Sequence, residues 1–339
     1  MKLSNQIEYE ILPKVADFVP EWPLDKLVDR NCPLCGSRKE TLFLRSDNLP
    51  AAYCDSCELW FINKIPDKKV IYETYDQYYK TIRPVKFDDV LAEQIKKNTK
   101  RVLKSADYDV RIKKLISIAG DLKGKQILEI GCGTGEFLYY LSALGADVIG
   151  CDLSKEACDF INNYLQIKVF HGGIEDNAEK IGKVDIVLLN DVIEHFIDPL
   201  KTLEKINLLL NKDGMIIIWT PNGSNAGKTL ECARNWIGFS IDLEHLQYFS
   251  YRTISKIADK FNFDIVHLES LGYPCLDKLK DFKPSGFKQM ILEIRFRLSV
   301  FLSGLLLGRV IKSILKEFFK SGSTEMGQFV LFVILRKTN

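Results

Sequence analysis

The chain is expected to form an α/β fold: a largely parallel sheet covered by helices on both faces, with a small zinc ribbon ahead of it and a helical insertion before the last strand. Three observations point there. From Gln126 onward the apolar runs QILEI, DVIGC, KVF, DIVLLN, MIIIW and DIVHL are separated by helix-length segments, which is the rhythm of βαβ units. The first run opens into ILEIGCGTGEFL, Ile127 to Leu138, where Gly131, Gly133 and Gly135 crowd a strand-to-helix turn. Ahead of both lie two C-x-x-C pairs, Cys32 with Cys35 and Cys54 with Cys57.

Taken in order, residues 1–30 hold Pro13, Pro20 and Pro23 and read as an irregular lead-in. Over residues 31–65 the cysteine pairs, in NCPLCGS and AAYCDSCELW, have residues 36–53 between them, a spacing that lets two knuckles close a tetrahedral thiolate shell around Zn²⁺. With four protein ligands such a site is closed and structural. Residues 66–122 read as a helical linker and a lid over a ligand site. Phe87 to Leu122 has helical periodicity, and YETYDQYYK carries Tyr75, Tyr78 and Tyr79, rings that would stack on a ligand or simply pack a linker helix. The sheet domain takes residues 123–271 and returns over 326–339, where QFVLFVILRK is one more buried strand. Between them, residues 272–325 form an insertion with apolar residues at helical spacing. Arg295, Arg297, Arg309, Lys312, Lys316 and Lys320 there face only Glu293 and Glu317 in its central stretch. It reads as a cap packed on the sheet domain, or on a second copy of the chain in a homodimer; the other reading is weak peripheral contact with an anionic membrane.

Composition narrows the partners. A formal net charge of +2 gives no polyanion-binding signature, which argues against nucleic acid as a partner. The N-terminus has no apolar signal segment, and no run approaches the ~18 apolar residues of a membrane span. Nine cysteines suit a reducing compartment, so a cytoplasmic location is expected, at most peripheral to the inner face of the membrane. The five cysteines outside the pairs read as core fillers.

The ligand of the glycine loop follows from spacing and charge. A dinucleotide loop would place its third glycine at Glu136, and a phosphate-binding loop would continue into Lys and Ser or Thr; neither pattern is met. The fragment NAGKT, with Gly227, Lys228 and Thr229, has Asn222 where a phosphate loop needs its first glycine. Glu129 beside the turn would repel a pyrophosphate and attract an ammonium, a sulfonium or ribose hydroxyls. Asp152, ending VIGCD, sits where such folds bind a ribose.

On these residues the chain resembles the class I S-adenosylmethionine-dependent methyltransferases, whose first motif reads (E/D)-x-G-x-G-x-G and is followed by an acidic residue at the end of the second strand. The resemblance covers about residues 85–270. It implies a Rossmann-like seven-stranded sheet with an antiparallel last strand, and S-adenosylmethionine as cofactor. It places Glu129 and Asn190 near the methionine moiety, the backbone of Gly131, Gly133 and Gly135 around it, Asp152 on the ribose, Leu153 against adenine, and Ile174 and Glu175 at the adenine edge.

A zinc ribbon, a tyrosine-rich stretch and a class I domain in this order look like bacterial methyltransferases of cell-surface polysaccharide and deoxysugar biosynthesis. Glu244 and His245 in DLEHLQYFS resemble the E-H pair of sugar C-methyltransferases, but the further C-terminal domain of those proteins is not seen here, so O-methylation of a sugar hydroxyl is the first reading. A quinone or lipid acceptor is the alternative, favoured by the apolar insertion. Outside the enzyme class stands an RNA-binding protein with a degenerate methyltransferase domain; the ribbon's balance of acidic and basic residues argues against it. For the chemistry, His245 is expected as general base with His195, in NDVIEHFIDP, orienting the acceptor. Asp191, Glu194 and His195, spaced i, i+3, i+4, with His245, also resemble the E-x-x-E-H…H metal site of small-RNA 2′-O-methyltransferases and the E-H motif of ubiquinone-pathway O-methyltransferases, which would imply a catalytic Mg²⁺ or Mn²⁺. A third reading is that Glu194 and His195 only satisfy the turn.

Overall fold

The computed structural model describes residues 11, 12, 20–106, 108–236, 238–241, 243–274 and 328–338. Regular structure begins before the expected ribbon boundary at residue 31. Strand β1 (Leu27–Asp29) is followed by β2 (Phe43–Leu44), β3 (Pro50–Cys54), β4 (Leu59–Ile62) and β5 (Lys64–Pro66). β1 closes antiparallel on β5, so the end of the proline-rich lead-in is a strand bracketing the ribbon. β2, β3 and β4 form an antiparallel meander.

Helices α1 (Lys68–Asp76), α2 (Tyr78–Thr81), α3 (Asp89–Ser105) and α4 (Val110–Ala119) lead to the sheet domain. Aspartates set their starts: Asp67, Asp88 and Asp109 each accept a hydrogen bond from a first-turn amide, at Val70, Leu91 and Arg111. Then come β6 (Gln126–Ile130), α5 (Glu136–Ala143), β7 (Asp147–Asp152), α6 (Lys155–Phe160), β8 (Lys168–His171), α7 (Ile174–Ile181), β9 (Val184–Asn190), α8 (Pro199–Leu209) and β10 (Leu210–Pro221). The short α9 (Leu230–Asn235), α10 (Gly238–Ile241) and β11 (Gln247–Tyr248) precede α11 (Tyr251–Phe261), β12 (Phe263–Pro274) and β13 (Gln328–Lys337). Each run read as a strand is one.

The main sheet has seven strands in the order β12-β13-β10-β9-β6-β7-β8. β13 runs antiparallel between β10 and β12, and the remaining pairings are parallel. Parallel strands buried on both faces need apolar residues at every position, which is why these runs show no alternation. Leu128, Ile130, Val187, Leu189, Ile216 and Ile218 meet α8 and α11 on one face. Ile127, Ile186, Leu188 and Ile217 meet α4 and α5 on the other.

The ribbon is built into this core. Ala52, Cys54, Leu59 and Phe61 join the cluster of the main sheet, while their period-2 alternates Ala51, Tyr53, Trp60 and Ile62 pack with Trp236, Phe239 and Tyr248. β11 from the sheet domain pairs with β4, so the ribbon sheet has four strands. Most of the expected 272–325 insertion lies outside the described residues; at its start, β12 continues to Pro274, past the expected boundary at 271.

Candidate functional site

The first half of the site is the carboxyl edge of β6, β7 and β9. Gly131 and Gly133 take positive φ, 68° and 54°. A Cβ at Gly131 would lie 2.5 Å from Val192 Cγ2, and one at Gly133 would lie 2.6 Å from the Tyr79 hydroxyl, so both the turn and its close neighbours require glycine. Gly135 ends the loop at the start of α5. Asp152, the last residue of β7, ties the loop to the next helix: its Oδ2 accepts from Gly133 N–H at 2.8 Å and its Oδ1 from Ser154 N–H at 2.8 Å. Burial raises the Asp152 carboxyl, against those two amides.

Glu129 is 3% exposed. Its Oε1 accepts from the Asn190 amide at 2.8 Å, while its Oε2 and Asn190 Oδ1 are buried acceptors with no hydrogen-bond donor among the described residues. Burial pushes the Glu129 carboxyl up to about 7. Buried acceptors without a donor are costly unless a ligand satisfies them, and an ammonium is a group of three donors that also ionises the carboxylate. The acceptor set therefore fits the methionine end of S-adenosylmethionine. Just after β7, Leu153 is half-buried and its carbonyl lies 3.0 Å from His171 Nε2. Ile174 is buried at the start of α7, and Glu175 Oε1 accepts from the Thr202 hydroxyl at 2.6 Å.

The second half is built by the turn after β9 and the segment before β11. Glu194, His195 and His245 bring ligand atoms within 4.8 Å of one another. Glu194 is fully buried, accepting from the Thr220 hydroxyl at 2.8 Å and lying 3.8 Å from His245 Nε2. The His195 and His245 rings meet edge-on with centroids 4.7 Å apart. Burial lowers both imidazoles below the ordinary histidine value, so both are neutral at pH 7. Asp191 is not in this cluster. Its φ of 52° turns the chain, and the following 3-10 turn starts only at Ile193, so the helical spacing that would align it with Glu194 and His195 does not apply. The expected four-ligand set reduces to three.

Helices α1 and α2, joined through Gln77, reach both halves. Tyr75 OH lies 2.6 Å from His195 Nδ1, Tyr78 OH donates to Glu244 Oε1 at 3.1 Å, and Tyr79 OH rests against Gly133. Asp76 accepts from Lys155 N–H, at the start of α6, at 3.0 Å. The tyrosines flagged in the sequence thus face the site instead of merely packing a linker. Sequence reasoning missed Arg111, whose guanidinium stacks on Phe137 and Trp219 at 4.6 and 5.3 Å and whose charge reaches Glu129 and Asp191. Nothing in the pattern separates it from the lysines beside it.

Away from the cleft, the sulfurs of Cys32, Cys35, Cys54 and Cys57 all lie within 4.8 Å of one another, with Cys35 and Cys54 3.6 Å apart. A tetrahedron with Zn–S arms of about 2.3 Å has edges of roughly 3.8 Å, so the four side chains fit Zn²⁺.

Residues 104–268 match the family model described as a methyltransferase domain. This stretch is a class I S-adenosylmethionine-dependent methyltransferase domain. Among similar proteins, the ubiquinone biosynthesis O-methyltransferase of Haemophilus ducreyi is 32% identical over 117 residues, 31% of this chain and 48% of that protein. The Escherichia coli protein of the same description is 24% identical over 186 residues, 53% of this chain and 72% of the other. The chain spans about half the length of the Haemophilus relative it matches. A solved S-adenosylmethionine-dependent methyltransferase from Archaeoglobus fulgidus aligns over 80% of this chain and 100% of its own with a TM-score of 0.41 and 15% identity. Among the described residues no helix is long and apolar enough to cross a membrane.

Proposed function

We propose that the protein transfers a methyl group from S-adenosylmethionine to a hydroxyl of a small-molecule or glycan acceptor. One observation carries the reading: the orphan acceptors of Glu129, next to last in β6, and Asn190, the last residue of β9, suit the cofactor's ammonium, and the histidine pair begins five positions after Asn190. The cofactor supplies a methyl on a sulfonium. The residues of this chain orient it and handle one proton: as the new O–CH₃ bond forms and the S–CH₃ bond breaks, the hydroxyl proton passes to an imidazole. His245 is the base in this reading. It is neutral at pH 7, and Glu194 at 3.8 Å would stabilise its protonated form. His195, held by Tyr75, orients the acceptor.

The curated relatives support a phenolic or quinol hydroxyl as acceptor. A sugar hydroxyl is the second reading, favoured by the polar wall in which Tyr78 and Arg83 both reach Glu244. A divalent cation on Glu194, His195 and His245 is the second reading of the chemistry, favoured by their convergence; two imidazoles with one carboxylate suit Mn²⁺ better than Mg²⁺. The four cysteines would hold a structural Zn²⁺, and thiols kept for a metal favour a cytoplasmic location. The test is incubation of purified protein with isotopically labelled S-adenosylmethionine and either catechol-type quinol precursors or sugar nucleotides and lipid-linked glycans. Label in the quinol fraction supports the first acceptor, label in a sugar the second. Label in RNA alone, or in nothing offered including extract of a deletion strain, would sink the reading.

A further inference from the structure

The two histidine-bearing segments, 193–197 and 243–246, have little regular structure of their own, so their carbonyls need partners from elsewhere. The ribbon supplies them through two arginines. Arg45 lies just after β2 and has no solvent exposure. Its Nε and Nη2 donate to Asp47 at 3.1 and 2.6 Å, its Nη1 to His245 O at 2.7 Å and to the Tyr248 hydroxyl at 2.9 Å, and its Nη2 also to Leu243 O. All five N–H groups are used. Arg30, two residues before Cys32, donates from Nη1 to Leu246 O at 3.0 Å and from Nη2 to Phe196 O at 3.3 Å, to Ile197 O at 2.9 Å and to the Gln247 side chain. Gln247 in turn donates to Ile193 O and Phe196 O, both at 2.9 Å. Leu246 N–H donates to Glu194 O, and Leu246 O accepts from Ile62 N–H of β4, again at 2.9 Å each.

A fully buried guanidinium is expensive, and an apolar side chain of similar volume would pack the same space. What an arginine adds is a rigid fork of donors that fixes backbone oxygens in place. We propose that Arg30 and Arg45 are positioning residues of the methyl-transfer site, through which the cysteine-held ribbon fixes the segments that carry His195 and His245. The ribbon is then part of the acceptor half of the site: its donors hold the carbonyls of His245 and of the residues just after His195, while Tyr75 meets the His195 ring and Glu194 lies near that of His245. The inference rests on the methyltransferase reading for the role of the histidines, but the contacts themselves do not.

The chain has four histidines, His171, His195, His245 and His267, so ring-labelled protein gives a spectrum with two reporters inside the clamp and two outside it. Arg30→Lys and Arg45→Lys keep the charge, in the second case opposite buried Asp47, and lose the fork. In each variant the His195 and His245 signals and their titration are expected to move, with His171 and His267 unchanged and S-adenosylhomocysteine affinity within about twofold of wild type. With an accepted substrate, turnover should fall at least about tenfold at unchanged cofactor KM. Should Arg45→Lys not fold, the half-buried Arg30 decides by the same signals. Wild-type signals for all four histidines in a folded variant would overturn the proposal, as would movement of all four together with lost cofactor affinity. A wild-type protein that binds no cofactor would sink the methyltransferase reading instead, leaving the histidine signals to judge the clamp.

Discussion

Glu129→Gln tests the cofactor half of the site. In the open chain this carboxyl titrates near 4.5, and burial in the fold raises it to about 7. Between those values the folded protein binds more protons than the unfolded chain, so stability is full below about 4.5, falls as pH rises toward 7 and is flat above. The rise from 4.5 to about 7 corresponds to roughly 3 kcal/mol lost over that window. Glutamine does not titrate and keeps the acceptor for the Asn190 amide, so the variant should lose this slope and be the more stable of the two apo-proteins at pH 8. Ligand binding should show the opposite preference. Pairing an ammonium with an ionised Glu129 requires loss of the proton, so wild-type affinity for S-adenosylhomocysteine should fall by about tenfold from pH 8 to pH 6. The variant should bind about 10- to 100-fold more weakly at pH 8, with little dependence on pH. Calorimetry in two buffers of different ionisation enthalpy measures the proton released. A Glu129→Gln protein with wild-type affinity and the wild-type pH slope would refute the ammonium assignment.

Three further outcomes are expected. Asp152→Asn should weaken cofactor binding by about 2 kcal/mol through loss of a charged acceptor, and calorimetry that finds no change would take Asp152 off the ribose. Cys32→Ser with Cys57→Ser should lose about one zinc per chain by elemental analysis together with soluble yield, whereas wild-type protein prepared without chelator and free of zinc would end the ribbon reading. His245→Ala should cut turnover by about 10² to 10⁴ while leaving cofactor affinity intact; activity abolished by EDTA and restored by Mn²⁺ would favour the cation reading over the free base, and near-normal turnover would sink both.

Much of the fold was legible because it depends on patterns the sequence repeats. Doubly buried parallel strands are continuous apolar runs, and a glycine turn beside Glu129 and Asp152 has few other uses. Other elements depend on tertiary contacts. β11 is two residues long and is a strand because β4 lies beside it. Asp191 fell out of the expected cluster because a local positive φ breaks the helical spacing on which it was placed. Nothing in the sequence singles out Arg30 and Arg45, since it gives no sign that carbonyls some two hundred positions away will need donors.

The two halves of the site are matched in charge. Burial pushes the Glu129 carboxyl up to about 7 and the His245 imidazole below its ordinary value, so near pH 7 the first is partly protonated and the second neutral. A ligand with an ammonium at one end and a sulfonium nearby adds positive charge beside the first and leaves the second neutral. In the proposed reaction the hydroxyl proton would pass to His245 as the methyl leaves the sulfonium, and Glu194 at 3.8 Å would stabilise the resulting imidazolium. Positive charge moves from one half of the cleft to the other with no net change. A buried, water-poor site tolerates such a shift far better than it tolerates the creation of charge, which is why the same burial that weakens His245 as a base in isolation is compatible with its role in the reaction.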